Sequence, residues 1–489
     1  MKITTTTLLL AALGTVASSS NTCCTLLHSS LGSKLSFPGQ PPYNNTITSY
    51  WSLTSPLSPS CILLPTTALS LSTALSLLST HPSCHYAIKG GAHNPAPGFS
   101  SISGGVTIDM SGLSTIEINA DHSIARVGAG AKWLSVYQFL DPLGVAVAGG
   151  RNGDVGVGGL LVGGGIAHFS PRVGWACDNV VGFEIVLPNG TLTNVNRTSH
   201  PTLFRALKGG ATNFGIITRF DISTFPQGGI ASSLVINDIS QRGAVLKAFT
   251  DIVEAEGGFD VYASLVTSLL YTSTTKTWKI INIVAYTKPV TQPAVFKDLL
   301  SIPSATNSTS LSVTTLAELA DETKTAPSNQ IMATATFKSS LPLMREFYDL
   351  ANTYFTTFNP AGGVTWLLTF EPLVAAMVPS SQNKNNKENV LGLGPEDKGF
   401  ILLLSASWAD TASTKAVQEA TRHVMSLIES CAEKKGLLLK FQYLNYAAAY
   451  QRPLESYGEG NLEFLRDVSR KYDPKGVFQK QVPGGFKLW

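Results

Sequence analysis

Residues 86–98 read Tyr86-Ala87-Ile88-Lys89-Gly90-Gly91-Ala92-His93-Asn94-Pro95-Ala96-Pro97-Gly98. Ala87 and Ile88 make a short apolar run of the kind that ends a buried strand. Lys89 to Ala92 then carries almost no side chain beyond one cation. Backbone N–H groups of such a turn can approach an anionic ligand such as a pyrophosphate. His93 stands where the turn ends, and an imidazole there can bond a cofactor, act as a base or bind a metal. Asn94 and Gly98 complete the same candidate ligand-binding turn. Taken alone, these residues fit a glycine turn before a surface histidine equally well.

A second stretch weighs against that plain reading. Gly149-Gly150-Arg151-Asn152-Gly153-Asp154-Val155-Gly156-Val157-Gly158-Gly159 runs on to Gly163-Gly164-Gly165, and nine of these residues are glycine. A packed chain gives up backbone entropy at so many glycines where it turns tightly or presses against a ligand. The interleaved Val and Leu distinguish the stretch from a flexible linker. Gly153, Gly158, Gly159 and Gly163 are therefore candidates for a ligand wall.

Composition narrows the class. The chain has 489 residues, 44% apolar and 14% charged, with a net charge of +3. A large core is affordable and general disorder is excluded. No Lys/Arg-rich run gives a nucleic-acid footprint. Lys2, the apolar run Leu8 to Val16 and the small residues after it read as a secretory signal peptide over residues 1–20, too short to span a membrane. Secretion makes the Asn-x-Ser/Thr sites at Asn44, Asn189, Asn196 and Asn307 glycosylation candidates. It also implies disulfides among Cys23, Cys24, Cys61, Cys84, Cys177 and Cys431. The first four flank the first folded segment and read as a clasp on an N-terminal arm, residues 21–54. Their connectivity stays open. No cysteine or histidine spacing suggests a metal site.

Along the chain, Cys61 to Leu64 reads as a strand, Ala68 to Ser79 as an amphipathic helix and Tyr86 to Ile88 as the next strand, a small α/β unit. Strands follow at Val106–Met110, Thr115–Asn119, Ile124–Val127 and Val180–Leu187, then at Ile216–Ile222. Gly128-Ala-Gly130-Ala-Lys-Trp133 lacks the third glycine of a dinucleotide fingerprint and opens a helix instead. From residue 228 to 435, strands at 261–270, 278–286, 331–337, 366–370 and 400–408 alternate with helices at 240–255, 292–301, 341–356 and 412–435. That pattern is an α+β domain with a largely antiparallel sheet. Ser380 to Pro395 reads as an exposed polar loop. Residues 436–489 return to the first domain, residues 55–227.

Lys89-Gly-Gly-Ala-His93, Val155-Gly-Val-Gly-Gly159 and Phe169-Ser-Pro-Arg-Val-Gly-Trp-Ala-Cys-Asp-Asn179, with Tyr443-Leu-Asn-Tyr446, Tyr457-Gly458 and Tyr472-Asp-Pro474, occur in one order. In that order they resemble the FAD-linked oxidases of the berberine-bridge-enzyme-like group, in the vanillyl-alcohol-oxidase superfamily. The resemblance covers about residues 50 to 489. It implies a two-part PCMH-type FAD-binding domain beside an α+β substrate domain. It implies FAD bonded through its 8α carbon to His93, with Gly215 and Ile217 at the adenine side. Members with a second, cysteinyl link carry that cysteine where this chain has Asn152, so a single bond is expected. Leu160 replaces the histidine that doubly linked members often have. Val155 stands where valine goes with oxygen access, which favours an oxidase using O2 over a flavin dehydrogenase. A third reading is a binding protein that has lost catalysis.

Tyr443 and Asn445 alternate onto one face of a strand and Tyr446 onto the other. Tyr443 is the expected base, with Asn445 and Tyr446 holding flavin or substrate, and Glu371 is the second candidate base. The expected partners are a small-molecule substrate and O2, with no nucleic acid and no membrane. The chain is expected to be a secreted monomer. Low charge in the substrate domain favours a neutral or apolar substrate among the sugars, alcohols, alkaloids and polyketides that this group oxidises.

Overall fold

The computed structural model describes residues 22–378 and 388–489. The expected leader, residues 1–20, lies outside them.

The first sheet is ordered Leu35–Ser36, Cys61–Leu63, Val106–Asp109, Tyr86–Lys89. Its last three strands are parallel. The intervening helix Ala68–Ser79 starts at Thr67, whose side chain accepts from the Ser70 N–H while Ser70 reciprocates. Leu71, Ala74, Leu75 and Leu78 are buried on one stripe. Two disulfides, Cys23–Cys84 and Cys24–Cys61, clasp the arm onto this sheet. Cys177 and Cys431 are free, the former buried.

The second sheet is antiparallel, ordered Ile116–Ile118, Ile124–Gly128, Ile216–Ser223, Val180–Val186, Leu192–Asn196. Gly128 and Gly130 serve strand packing. A Cβ on either would overlap the carbonyl of Leu113 or Met110. The chain's last residues close onto this half. Gln481 donates from its carboxamide to the carbonyls of Leu78, His81 and Cys84, and Asn213 donates to the Phe486 carbonyl.

The third sheet has eight antiparallel strands, ordered Ser312–Thr314, Ile230–Asp238, Thr277–Tyr286, Ala263–Thr272, Val364–Leu373, Gly399–Trp408, Asn329–Lys338, Leu438–Leu439. Helices Arg242–Val253, Leu341–Phe355 and Thr414–Lys434 bury Trp366, Leu368, Phe370, Leu402 and Leu404 on one face. Strand alternation sends Thr369, Glu371, Leu403 and Met332 to the other face.

The architecture is the α+β arrangement the sequence implies, with local differences. Strands Ile230–Asp238, Ser312–Thr314 and Leu438–Leu439 and helix Leu316–Glu322 were not expected. The strands' ends are set by pairing with distant strands, and the helix starts at a capping box between Thr315 and Glu318. Leu444–Tyr446 is a single 3₁₀ turn and not a strand. The Tyr446 and Ala447 N–H groups bond back to the carbonyls of Tyr443 and Leu444. The expected exposed loop also differs. Residues 380–387 lie outside the described residues, but Val390 and Leu391 are buried. Leu391 packs against Gly164 and Gly209, and the Val390 N–H bonds to the Lys208 carbonyl.

Candidate active site

The two glycine-rich stretches lie back to back. A Cβ on Gly91 would overlap the Gly156 backbone, and one on Gly156 would overlap that of Gly91. Around this contact opens a cavity of about 380 Å³. Its walls include Gly90 to Asn94, Asn152, Val155, Gly158, Gly159, Gly215 and Ile217, and the eight-stranded sheet adds Met332 and Leu403. At Gly90 and Gly159 an added Cβ would meet no protein atom within 4 Å, so both glycines leave room on the cavity side.

His93 lines this cavity with a buried Nε2 that has no hydrogen-bond partner. Burial lowers its pKa to about 4, leaving the imidazole neutral. Ala92, just before it, has φ 55°, a left-handed conformation that turns the chain sharply into His93.

Across the cavity stand Tyr443, Asn445 and Tyr446. The Tyr443 hydroxyl accepts from the Ile166 N–H and from Asn445 Nδ2, both at 3.0 Å. Asn445 Nδ2 also donates to the Leu160 carbonyl at 3.0 Å, bracing helix Val157–Val162. Burial, more than any other effect, raises the Tyr443 pKa. The Tyr446 hydroxyl donates to Glu371 Oε1 at 2.9 Å and accepts from Arg151 Nη2 at 2.8 Å. The Arg151 guanidinium also meets both carboxylate oxygens of Glu371, at 2.9 and 2.8 Å. Glu371 is 2% exposed and stands behind Tyr446, outside the cavity lining. Burial, and then the Glu371 carboxylate, raises the Tyr446 pKa.

Four expected ligand residues lie elsewhere. Lys89 is buried with its ammonium 3.2 Å from Asp109, so it is a core ion pair and not a free cation for a ligand. Gly98 takes φ 83° in a turn outside the lining. Gly153 packs between Leu134 and Ala320, and its N–H bonds the Ala320 carbonyl. Gly163 sits beneath Asn445, whose Oδ1 a Cβ would overlap. Asn94 lines the cavity but spends its Oδ1 on the Ala96 N–H. Among the described residues, no group of three or more His, Cys, Asp or Glu side chains is arranged to hold a metal.

The sequence reading missed Arg151, Trp51 and His168. Arg151 was within reach as the one cation among the glycines. Trp51 stacks on His93, and buried His168 bonds Ser264 through Nδ1 at 2.9 Å. Both meet partners far away in sequence.

Comparison with known proteins supplies the family. Residues 59–196 match the model of an FAD binding domain. The FAD-dependent monooxygenase sdcF of Emericella nidulans is 36% identical over 473 residues, covering 94% of this chain and 97% of that protein. This chain belongs with these FAD-dependent oxidoreductases. The fold agrees. The BBE-like 1 structure from Physcomitrella patens matches 96% of this chain and 99% of its own, with a TM-score of 0.77 at 18% identity. The glucooligosaccharide oxidase of Acremonium strictum, described with 6-S-cysteinyl, 8α-N1-histidyl FAD, matches 94% of this chain and 97% of its own, with a TM-score of 0.73 at 18% identity. The residues of the cavity fit FAD. Glycine walls leave room for a flat ligand, and an unpartnered imidazole nitrogen waits beside them.

Proposed function

We propose that this protein is a secreted oxidase, acting on a small uncharged substrate with FAD bonded to His93 and O2 as electron acceptor. FAD, when bound, supplies the two-electron chemistry. The observation that carries the reading is the Arg151–Glu371–Tyr446 cluster opening onto the same cavity as His93. Tyr446 takes a proton from the substrate as its own passes to Glu371 Oε1, so no free tyrosinate is required. Arg151 meets both carboxylate oxygens of Glu371 and also donates to the tyrosine oxygen. This assignment replaces Tyr443 as base. Tyr443 receives two hydrogen bonds and has no carboxylate partner, and its role is to hold Asn445 and Ile166 in place.

The substrate reading rests on charge. Arg151 is the one charged side chain in the lining among the described residues, and Glu371 neutralises it. Met332, Leu403, Leu444 and Phe486 add an apolar wall. Asn152 stands where a second, cysteinyl link would need a thiol, so a single bond is proposed. Secretion is supported by the two disulfides of the arm.

The relatives named monooxygenases favour a second reading, insertion of an oxygen atom into the product. A panel of uncharged phenols and alcohols, with carboxylates and oligosaccharides for comparison, incubated under ¹⁸O₂ separates the two. The oxidase reading expects hydrogen peroxide matching product and no label in the product. Labelled product supports a monooxygenase, and substrate bleaching without reoxidation by O2 supports a dehydrogenase.

A further inference from the structure

Trp51 belongs to the N-terminal arm, yet its indole lies parallel to the His93 imidazole. The ring centroids are 4.1 Å apart and the planes differ by 10°. Trp51 is held at both its backbone and its ring. Its backbone N–H donates to the Ala92 carbonyl at 3.2 Å, and Nε1 donates to Thr325 Oγ1 at 3.0 Å. The neighbouring Leu53 N–H bonds the Ser328 carbonyl at 3.0 Å, so the arm is strapped to the segment before strand Asn329–Lys338.

His93 has little else to fix its ring. Nε2 is buried and unpartnered. A residue that must bond a ligand atom has to be held close to the productive angle, and packing usually does this. A hydrogen-bond acceptor at the reactive nitrogen would compete for that nitrogen. A stacked indole restrains the plane and leaves the nitrogen free. Its bulk also helps keep the imidazole dry and neutral.

We propose that Trp51 is a positioning residue for attachment of the flavin to His93. The proposal rests on the His93–FAD bond inferred above. In that attachment an imidazole N–H and one C–H of the 8α-methyl break and an N–C bond forms. The two electrons and two protons released pass to O2, giving hydrogen peroxide. Trp51 takes no part in the bonding, and it sets the ring's orientation.

The test uses the full chain produced under flavin limitation and then supplied with FAD. Absorbance before acid precipitation reads total bound flavin, and absorbance of the precipitate reads the covalent fraction over time. Trp51→Ala should bind FAD but attach it at least about ten-fold more slowly, while Trp51→Phe should stay within about three-fold of wild type. Attachment at the wild-type rate in Trp51→Ala overturns the proposal. If Trp51→Ala binds no flavin at all, Thr325→Val decides, since it removes the indole's hydrogen bond and keeps the ring. Slowed attachment in that variant supports the proposal and an unchanged rate overturns it. A wild-type protein without acid-stable flavin overturns the His93 bond and this role together. Trp51→Ala attaching like wild type overturns the role of Trp51 alone.

Discussion

The Tyr446 hydroxyl donates to a carboxylate and accepts from a guanidinium, whereas the Tyr443 hydroxyl accepts from two N–H groups. The difference predicts how two conservative variants behave. Tyr446→Phe should keep the bound flavin and reduce it about 10²- to 10⁴-fold more slowly, the usual contribution of a positioned acid–base group. Tyr443→Phe should cost less, through loosened packing of Asn445. Anaerobic stopped-flow absorbance reads both, and equal reduction rates in Tyr446→Phe and wild type would remove Tyr446 from the relay. Glu371→Gln should slow reduction as well, but it also leaves the partly buried Arg151 without its charge partner. A lowered unfolding midpoint is expected there. The sequence nominates Tyr443, Tyr446 and Glu371 but does not pair Tyr446 with Glu371 and Arg151. Tyr446 and Glu371 are 75 residues apart and Arg151 lies 295 residues before Tyr446. No local pattern encodes that pairing. The supposed strand also put Tyr443 on the wrong footing, because a 3₁₀ turn and not strand alternation sets where these side chains go.

At the scale of elements, two joints hold the site. One is the contact of Gly163, just past helix Val157–Val162, with the Leu444–Tyr446 turn. Gly163→Ala would push the Asn445 carboxamide away from Tyr443 and the Leu160 carbonyl. The variant should fold, with a thermal midpoint lowered by the about 1–3 kcal/mol typical of overpacking, and lose turnover. Unchanged kinetics would show that this joint does not matter. The other joint is the double disulfide clasp. Cys23–Cys84 and Cys24–Cys61 close spans of 61 and 37 residues. Replacing either pair with serine should cost about 2–4 kcal/mol, read as a lower unfolding midpoint. The arm would loosen with it, taking Trp51 from His93. The glycine stretches, helix Ala68–Ser79 and most strands of the large sheet are legible because each has a local signature of turn residues or periodicity. The short strands Ser312–Thr314 and Leu438–Leu439 are not, since a few residues become a strand only when a distant edge receives them.

At the scale of the whole molecule, the buried His168 stays neutral in the folded chain. Burial first, and then the Arg151 cation, lowers the His168 pKa to about 3. An unfolded histidine titrates near 6.5. Below that pH the unfolded chain takes up a proton that folded His168 refuses, so stability falls as pH drops toward 3, by about 1.4 kcal/mol per pH unit. His168→Gln should flatten this part of the curve, measured as urea midpoints between pH 7 and 4.5. An identical slope would show that another group is responsible. The central claim is that one cavity holds a flavin between the His93 turn and the Arg151–Glu371–Tyr446 cluster. A crystal structure of the purified yellow protein tests it most directly. Continuous density from the His93 imidazole to the 8α carbon is expected, with a gap of solvent at Asn152 and the flavin's reacting edge facing the Tyr446 hydroxyl. Density for a flavin unattached to His93, or one whose ring lies away from Tyr446, would contradict it.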